Sequence, residues 1–117
     1  MKRFPGDAQG RCAAVVSGGL VHAVATDPVC ADGIAAQTRN TLEHLEELLI
    51  KAGSGKSGLV QATVYLSDIS SKPEMDAVWC AWIGPQENWP QRACIGVDLE
   101  EGYLIEVVVT ATVRQRT

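Results

Sequence analysis

The sequence predicts an α+β fold in which a mixed sheet carries two helices on one of its faces. Residues 34–52 and 75–82 each place apolar and small side chains at the three-and-four spacing of an amphipathic helix. Apolar stretches rich in β-branched residues lie before, between and after these two helices. Short turns join some strands and helices join others, which favours antiparallel and parallel pairs within one sheet.

A glycine pair predicts a β-hairpin near the start of the chain. Residues 12–16 form a short apolar run that ends at Ser17-Gly18-Gly19, and residues 20–26 form a second run that Asp27-Pro28 breaks. Residues 1–10 are polar and contain glycine and proline. We therefore expect them to be a flexible lead-in.

The first helix is expected to end at Gly53, a residue suited to a helix C-cap. The segment Gly53-Ser54-Gly55-Lys56-Ser57 ends like a phosphate-binding loop, but it lacks the first glycine of that motif and follows a helix instead of a strand. We expect a helix-to-strand connection here and no nucleotide site. A buried strand is predicted over residues 59–66.

The second helix is predicted to begin at a capping box formed by Ser71 and Glu74. Trp79 and Trp82 lie on its apolar stripe, where we expect them to pack in the core. Gly84-Pro85 ends the helix.

Two strands finish the chain, over residues 93–99 and 104–113. The turn Glu100-Glu101-Gly102 between them predicts a second hairpin. With both helices on one face, the other face of the sheet has no cover, although its strands are apolar. Because large apolar patches usually mark association, we expect homo-oligomerisation through the sheet.

Length and composition narrow the class of protein. The 117 residues are 46% hydrophobic and fit one domain spanning residues 1–117. The net charge of −4 disfavours nucleic acid as a partner. Residues 1–7 carry two positive charges but no apolar run behind them, which does not fit a signal peptide, and no run is long enough to span a membrane; we therefore expect a cytoplasmic protein. The four cysteines show no C-x-x-C spacing and only two histidines are present, which favours free thiols and no metal site.

The segment from Trp89 to Cys94 carries the candidate chemistry. Arg92 stands at a strand start, where its planar guanidinium is suited to binding a carboxylate, and Cys94 points to the same sheet face. Trp89 stands in the preceding polar loop, where it is suited to lining a pocket or an interface.

Glu106 is a lone carboxylate in the apolar last strand, and burying it unpaired would be costly. A final hairpin would bring it within reach of a ligand held by Arg92. The alternative is that Glu106 only forms a salt bridge with Arg92 or another basic group.

Taken together, these motifs resemble the RidA family, the YjgF/YER057c/UK114 proteins, from about Arg11 to Val113. The matching segments are Gly18-Gly19, Gln37-Thr38-Arg39 with Leu42, Ala52-Gly53, Ala62-Thr63-Val64-Tyr65-Leu66-Ser67-Asp68, Met75-Asp76-Ala77-Val78-Trp79, Pro90 with Arg92-Ala93, and Ile105-Glu106-Val107.

The resemblance implies a chorismate-mutase-like fold with a mixed, six-stranded type of sheet, assembled as a homotrimer with clefts between subunits. It also implies hydrolysis of reactive enamines or imines to a ketone and ammonia, without a metal or organic cofactor. Arg92 then matches the arginine that grips the substrate carboxylate, Glu106 the carboxylate that orients and activates water, and Cys94 the pocket cysteine.

Several positions near the implied pocket depart from the family pattern. Ala25 and Thr26 replace the usual glycine and glutamine, Asp76 stands where many members have asparagine, and Arg11-Cys12 lies where an aromatic residue is common. Three hypotheses follow: an imine or enamine deaminase acting on a small carboxylate, a non-catalytic trimeric carboxylate-binding protein, and a pathway-specific deaminase or lyase on an aromatic-derived acid stacked on Trp89.

Overall fold

The computed structural model describes residues 1–114 and contains a mixed sheet and two α-helices. In chain order the elements are β1 Lys2–Pro5, β2 Cys12–Ser17, β3 Leu20–Ala25, α1 Ile34–Lys51, β4 Leu59–Leu66, α2 Lys72–Ile83, β5 Gln91–Gly96 and β6 Ile105–Thr112. Short 3₁₀ turns precede β4, α2 and β5, at Lys56–Gly58, Ile69–Ser71 and Gln86–Asn88.

The six strands lie in the order β1-β2-β3-β6-β4-β5. The β4–β5 pair is parallel and α2 forms its crossover, whereas the other neighbouring strands are antiparallel. The mixed sheet with two helices agrees with the sequence prediction, and the hairpin around Gly18-Gly19 is confirmed, with a positive φ at both glycines.

The prediction of a flexible lead-in over residues 1–10 is wrong for its first half. Lys2–Pro5 form the edge strand β1, which pairs with β2. Phe4 lies opposite Ala14 and packs against the core, while Lys2 and Arg3 keep this edge charged. A four-residue strand with so few apolar side chains gives a weak periodic signal, which is why the composition suggested a loop.

The predicted hairpin between the last two strands is also wrong, because β4 lies between β5 and β6. Strand β5 stops at Gly96, whose Cα lies so close to Ile69 that a Cβ there would meet the Ile69 Cβ at 2.9 Å. The connection to β6 therefore spans residues 97–104, long enough to pass the end of β4, and β6 pairs with β3 and β4.

The helix termini use different contacts from those expected. Ser71 makes no capping bond with its side chain; instead Asp68 accepts hydrogen bonds from the Ser70 backbone N–H and hydroxyl, at 2.9 and 2.7 Å, and caps the preceding 3₁₀ turn. At the other end of α2, the Lys56 ammonium donates to the Trp82 carbonyl at 2.7 Å. The lysine of the segment that resembles a phosphate-binding loop thus caps the C-terminus of α2, where a positive charge interacts favourably with the helix dipole.

The core lies between the helices and one sheet face. Helix α1 packs across β3 and β6, and α2 packs beside α1. Alternate strand residues point into this layer and are fully buried, including Val21, Val64 and Val107. The opposite face, called here the open face, carries Glu106 and the exposed apolar side chains of Leu20, Ile95 and Val108. Within residues 1–114, no helix is long and apolar enough to cross a bilayer.

Candidate functional site

Arg92 lies on the helix side of the sheet and is held by two residues of α2. It pairs in register with the buried Ala62, so its side chain leaves β5 toward the helices. Its Nη2 donates to Asp76 Oδ1 at 2.7 Å, and its guanidinium lies over the Trp79 ring, 5.1 Å from the centroid. The ion pair fixes one edge of the guanidinium while the indole supports its plane.

Asp76 is shared between two cations. Its second carboxylate oxygen accepts a hydrogen bond from Lys72 Nζ at 2.7 Å, one helical turn earlier. Burial alone would raise the pKa of the Asp76 carboxyl, but the hydrogen bonds and charges of Lys72 and Arg92 outweigh it and hold that pKa below its ordinary value. The side chains of Arg92 and Asp76 are 19% and 28% exposed, so a ligand can reach both.

Cys94 and Trp89 flank this anchor on β5 and the loop before it. Cys94 lies on the same sheet face as Arg92, as predicted from the alternation, and is a half-buried free thiol packed against the core. Trp89 is 59% exposed, and its indole N–H donates to the Gly84 carbonyl at 3.0 Å. This bond holds a large aromatic surface at the end of α2, on the outside of this chain.

Glu106 lies on the opposite sheet face from Arg92. It stands on β6 directly opposite Tyr65 of β4, and both side chains are half-buried on the open face. The expectation that a hairpin brings Arg92 and Glu106 together is therefore wrong for one chain. The alternative, a salt bridge between Arg92 and Glu106, is not formed either. Among the described residues, Arg92 forms its ion pair with Asp76.

Ala25 and Thr26 line a cleft of about 270 Å³ at the end of the sheet. Ala25 is the last residue of β3 and pairs with Val107, and Thr26 follows it directly. Arg11 and Tyr103 also line this cleft. The nearby Cys30 thiol raises the pKa of the Tyr103 hydroxyl, against a smaller lowering effect of Arg11.

A buried carboxylate, Asp27, lines this cleft and holds the loop after β3. Asp27 is fully buried, and its carboxylate accepts from the backbone N–H groups of Val29 and Ala31 and from the Asn40 amide. Burial would raise the pKa of Asp27, but these hydrogen bonds lower it overall. The loop after β3 is therefore fixed by an ionised carboxylate.

Gln37 of α1 connects the same loop to the start of β6. Its Nε2 donates to the carbonyls of Ala31 and Gly102, at 2.9 and 2.8 Å, and its Oε1 accepts from the Leu104 backbone N–H at 2.9 Å. The amide is 1% exposed and uses both ends. It thereby holds Leu104, which directly precedes β6 and lies two residues before Glu106.

The predicted site residues thus fall into two groups within one chain. The anchor group comprises Arg92, Asp76 and Cys94 on the helix side. The second group comprises Glu106 on the open face together with Ala25 and Thr26, which line the cleft at the end of the sheet. Among residues 1–114, no cluster of three histidine, cysteine or acidic side chains is arranged to hold a metal ion.

Sequence reasoning missed three neighbours of these groups. Trp79 was assigned only to the core, yet it also supports Arg92. Tyr65 was not connected with Glu106 because that requires the strand order, in which β4 and β6 are neighbours. Tyr103 lies in a turn, and no local pattern points to its place in the cleft.

A family model and several related proteins point to the same protein family for this chain. The family model described as Endoribonuclease L-PSP matches residues 9–113. A RutC family protein of Haemophilus ducreyi is 33% identical over 81 residues, covering 68% of this chain and 68% of that protein. The RutC family protein YoaB of Escherichia coli is 33% identical over 78 residues, covering 66% of this chain and 68% of that protein.

Solved structures agree over almost the whole chain. A YjgF family protein from Neisseria meningitidis superposes with a TM-score of 0.91 at 27% identity, covering 98% of this chain and 96% of that one. A YjgF/YER057c/UK114 family member from Mycobacterium tuberculosis superposes with a TM-score of 0.84 at 28% identity, covering 96% of this chain and 98% of that one.

Proposed function

The chain belongs to the RidA/YjgF family, and from that premise we propose that it hydrolyses a small enamine or imine carboxylate to a ketoacid and ammonia. The observation that carries the proposal is the anchor group. Arg92 is a reachable guanidinium, supported by Trp79 and pinned at one N–H by Asp76. Its other N–H groups have the geometry to bind a carboxylate.

The reacting group in this proposal is Glu106, supplied by a second copy of the chain. Arg92 and Glu106 lie on opposite sheet faces, so one chain does not bring both to one ligand. A homotrimer, in which the open face of each subunit is covered by its neighbours, would form clefts between chains. The exposed apolar side chains of Ile95 and Val108 on that face support such an assembly.

The chemistry requires positioning and one group that transfers a proton. With the substrate carboxylate on Arg92, Glu106 accepts a proton from water as the water oxygen bonds to the carbon of the protonated imine. Glu106 passes that proton to the carbinolamine nitrogen, and as the carbon–nitrogen bond breaks it takes the proton of the carbinol hydroxyl, which leaves the ketone and ammonia. Transfer of this last proton to ammonia gives ammonium and restores the Glu106 carboxylate. Orientation and general base catalysis both lower this barrier.

The proposed reaction uses neither a metal nor an organic cofactor. We propose that it takes place in the cytoplasm. Nucleic acid is not proposed as a substrate, although the description of the family model names an endoribonuclease. The net charge of −4 disfavours the phosphate contacts on which RNA binding depends.

Ammonia release from an imine generated in situ, such as iminobutanoate, tests the proposal. We expect Glu106→Gln to lower the wild-type rate by about 10²- to 10⁴-fold, the usual contribution of a general base. Arg92→Ala should raise KM strongly, because it removes the carboxylate contact. Arg39→Ala is the matched control, since Arg39 is an exposed arginine on α1 outside both groups. Equal rates for wild type and Arg92→Ala contradict the proposal.

A second candidate, a trimeric protein that binds small carboxylates without turnover, is favoured by the Arg92–Asp76 ion pair. Asp76 already occupies part of the guanidinium with a carboxylate of the protein itself. In that case, butyrate raises the melting temperature of wild type but not of Arg92→Ala, and no imine is consumed.

A further inference from the structure

The charges around Arg92 differ from those of a simple carboxylate site. Lys72, Asp76 and Arg92 form a chain in which the acidic group lies between two basic ones, with both ion pairs at 2.7 Å. A ligand that approaches Arg92 therefore also meets the carboxylate of Asp76. A purely anionic ligand is attracted by the guanidinium and repelled by this neighbour.

Asp76 retains capacity for another donor. Each of its oxygens accepts one hydrogen bond, Oδ1 from Arg92 and Oδ2 from Lys72. A carboxylate oxygen has two acceptor positions, so each oxygen can accept from a ligand without losing its present partner. The side chain is 28% exposed, which leaves these positions accessible.

Arg92 likewise retains donors, since its ion pair with Asp76 uses one Nη2 N–H. Acceptors and donors for a ligand thus lie side by side, joined by a hydrogen bond of 2.7 Å. A ligand that carries a carboxylate and, on the adjacent carbon, a protonated nitrogen presents the complementary pair of charges at the same short separation.

From this juxtaposition we infer that Asp76 is a specificity-determining residue that selects ligands with a positively charged nitrogen α to the carboxylate. The carboxylate binds to Arg92 and the nitrogen donates to Asp76. The inference rests on the proposed function and narrows its substrate class to the protonated α-imino acid over the neutral enamine. That form has the more electrophilic carbon, so the same contact that selects it also favours attack by water.

Two ligands of equal size isolate the effect. α-Aminobutyrate carries an ammonium group where α-hydroxybutyrate carries a neutral hydroxyl, and neither is consumed. Binding is followed by NMR titration through the indole N–H of Trp79, which lies under the Arg92 guanidinium. Wild type is expected to bind α-aminobutyrate about fivefold more tightly, the scale of a partly exposed ion pair.

Three variants assign that preference to Asp76. Asp76→Asn keeps the size of the side chain but removes its charge, and should reduce the preference to less than about twofold. Asp76→Glu keeps a carboxylate and should restore part of the preference. Glu74→Gln is the control, because it removes an exposed carboxylate of the same helix that belongs to neither ion pair, and it should leave the preference unchanged.

Equal preference in wild type and Asp76→Asn overturns the inference, as does tighter binding of α-hydroxybutyrate or no binding of either ligand to wild type. The outcome is separate from that of the hydrolysis assay. If wild type shows the charge preference but releases no ammonia from an imine, hydrolysis is refuted and Asp76 still selects zwitterions. If imines are hydrolysed without the preference, only the role of Asp76 is refuted.

Discussion

Replacing Gln37 tests whether one buried amide fixes the start of β6. Gln37→Met keeps a long, unbranched side chain and removes all three hydrogen bonds to Ala31, Gly102 and Leu104. The Leu104 N–H then loses its acceptor, and the carbonyls of Ala31 and Gly102 lose a donor. Because Glu106 follows two residues after Leu104, the same change should loosen its position.

The expected cost follows from the burial of these groups. A buried donor left without a partner costs about 1–3 kcal/mol. The two carbonyls lie in loops, where water can partly replace the lost donor, so we expect a total of about 3 kcal/mol. This is a large share of the roughly 5–15 kcal/mol that stabilises a typical domain.

The assay is urea unfolding at a fixed protein concentration, since association would make stability depend on concentration. Glu43→Gln, an exposed substitution on α1, is the control and should change the free energy of unfolding by less than about 0.5 kcal/mol. A loss below about 1 kcal/mol for Gln37→Met would refute the idea that these bonds fix the loop.

Gln37→Glu adds a test with a defined pH dependence. The introduced carboxyl still accepts from Leu104 N–H, but its other oxygen faces the carbonyls of Ala31 and Gly102. Burial and these carbonyls raise its folded pKa above the unfolded value of about 4.3. The stability of this variant relative to wild type should therefore be greatest below pH 4 and fall as the pH rises through the folded pKa, as urea unfolding across pH 4–7 will show.

Further predictions concern three buried polar residues. Asp27→Asn places an amide N–H against a donor such as the Ala31 N–H and should lower the free energy of unfolding by about 2 kcal/mol at pH 7. Because the folded pKa of Asp27 is depressed, the stabilisation by its carboxylate is present above the ordinary pKa of 3.8 and is lost as the pH falls through the folded pKa. Thermal melts of wild type and variant should therefore converge in acid. Thr41 is fully buried and its hydroxyl has no partner among the described residues, so Thr41→Val should raise the free energy of unfolding in urea by about 1 kcal/mol. Ser54→Ala should lower it, because it removes a buried hydroxyl that donates to the Thr112 carbonyl at 2.6 Å.

Local patterns were sufficient for most elements of this fold, with β1 as the exception. Helix α1 was expected at residues 34–52 and occurs at Ile34–Lys51, and β4 occurs at Leu59–Leu66 as predicted. Both segments have strong periodicity or β-rich composition and clear terminating residues, which are properties of the nearest few positions in the chain.

Strand order could not be read in the same way. Strand β6 pairs with β3 and β4, and these pairings join residues far apart in the chain, such as Leu20 with Thr112 and Tyr65 with Glu106. The turn-like sequence Glu100-Glu101-Gly102 pointed to a hairpin, although it lies in a longer connection. Pairing between distant segments thus outweighed a local turn signal.

The contrast between local patterns and contacts of distant residues also explains which parts of the candidate site could be predicted. Arg92 and Cys94 share a face because alternation along one strand is a local rule, and the structure agrees. The partner of Arg92 was not predictable in this way, since Asp76 reaches it from α2, sixteen residues earlier.

The separation of Arg92 from Glu106 has a consequence for how substitutions should be interpreted. If the proposed hydrolysis needs both groups, it needs two chains, and any change on the open face that weakens association should reduce activity without touching either residue. Val108, on the same face and strand as Glu106, is 39% exposed in the single chain and is the natural position to examine. A charge placed there would be costly to bury against a neighbouring subunit but harmless in an isolated chain. Under the proposed function, the open face therefore connects the oligomeric state to catalysis. Alternation along β6 places Glu106 on that face, and the order of the strands, which the sequence did not reveal, places Tyr65 beside it.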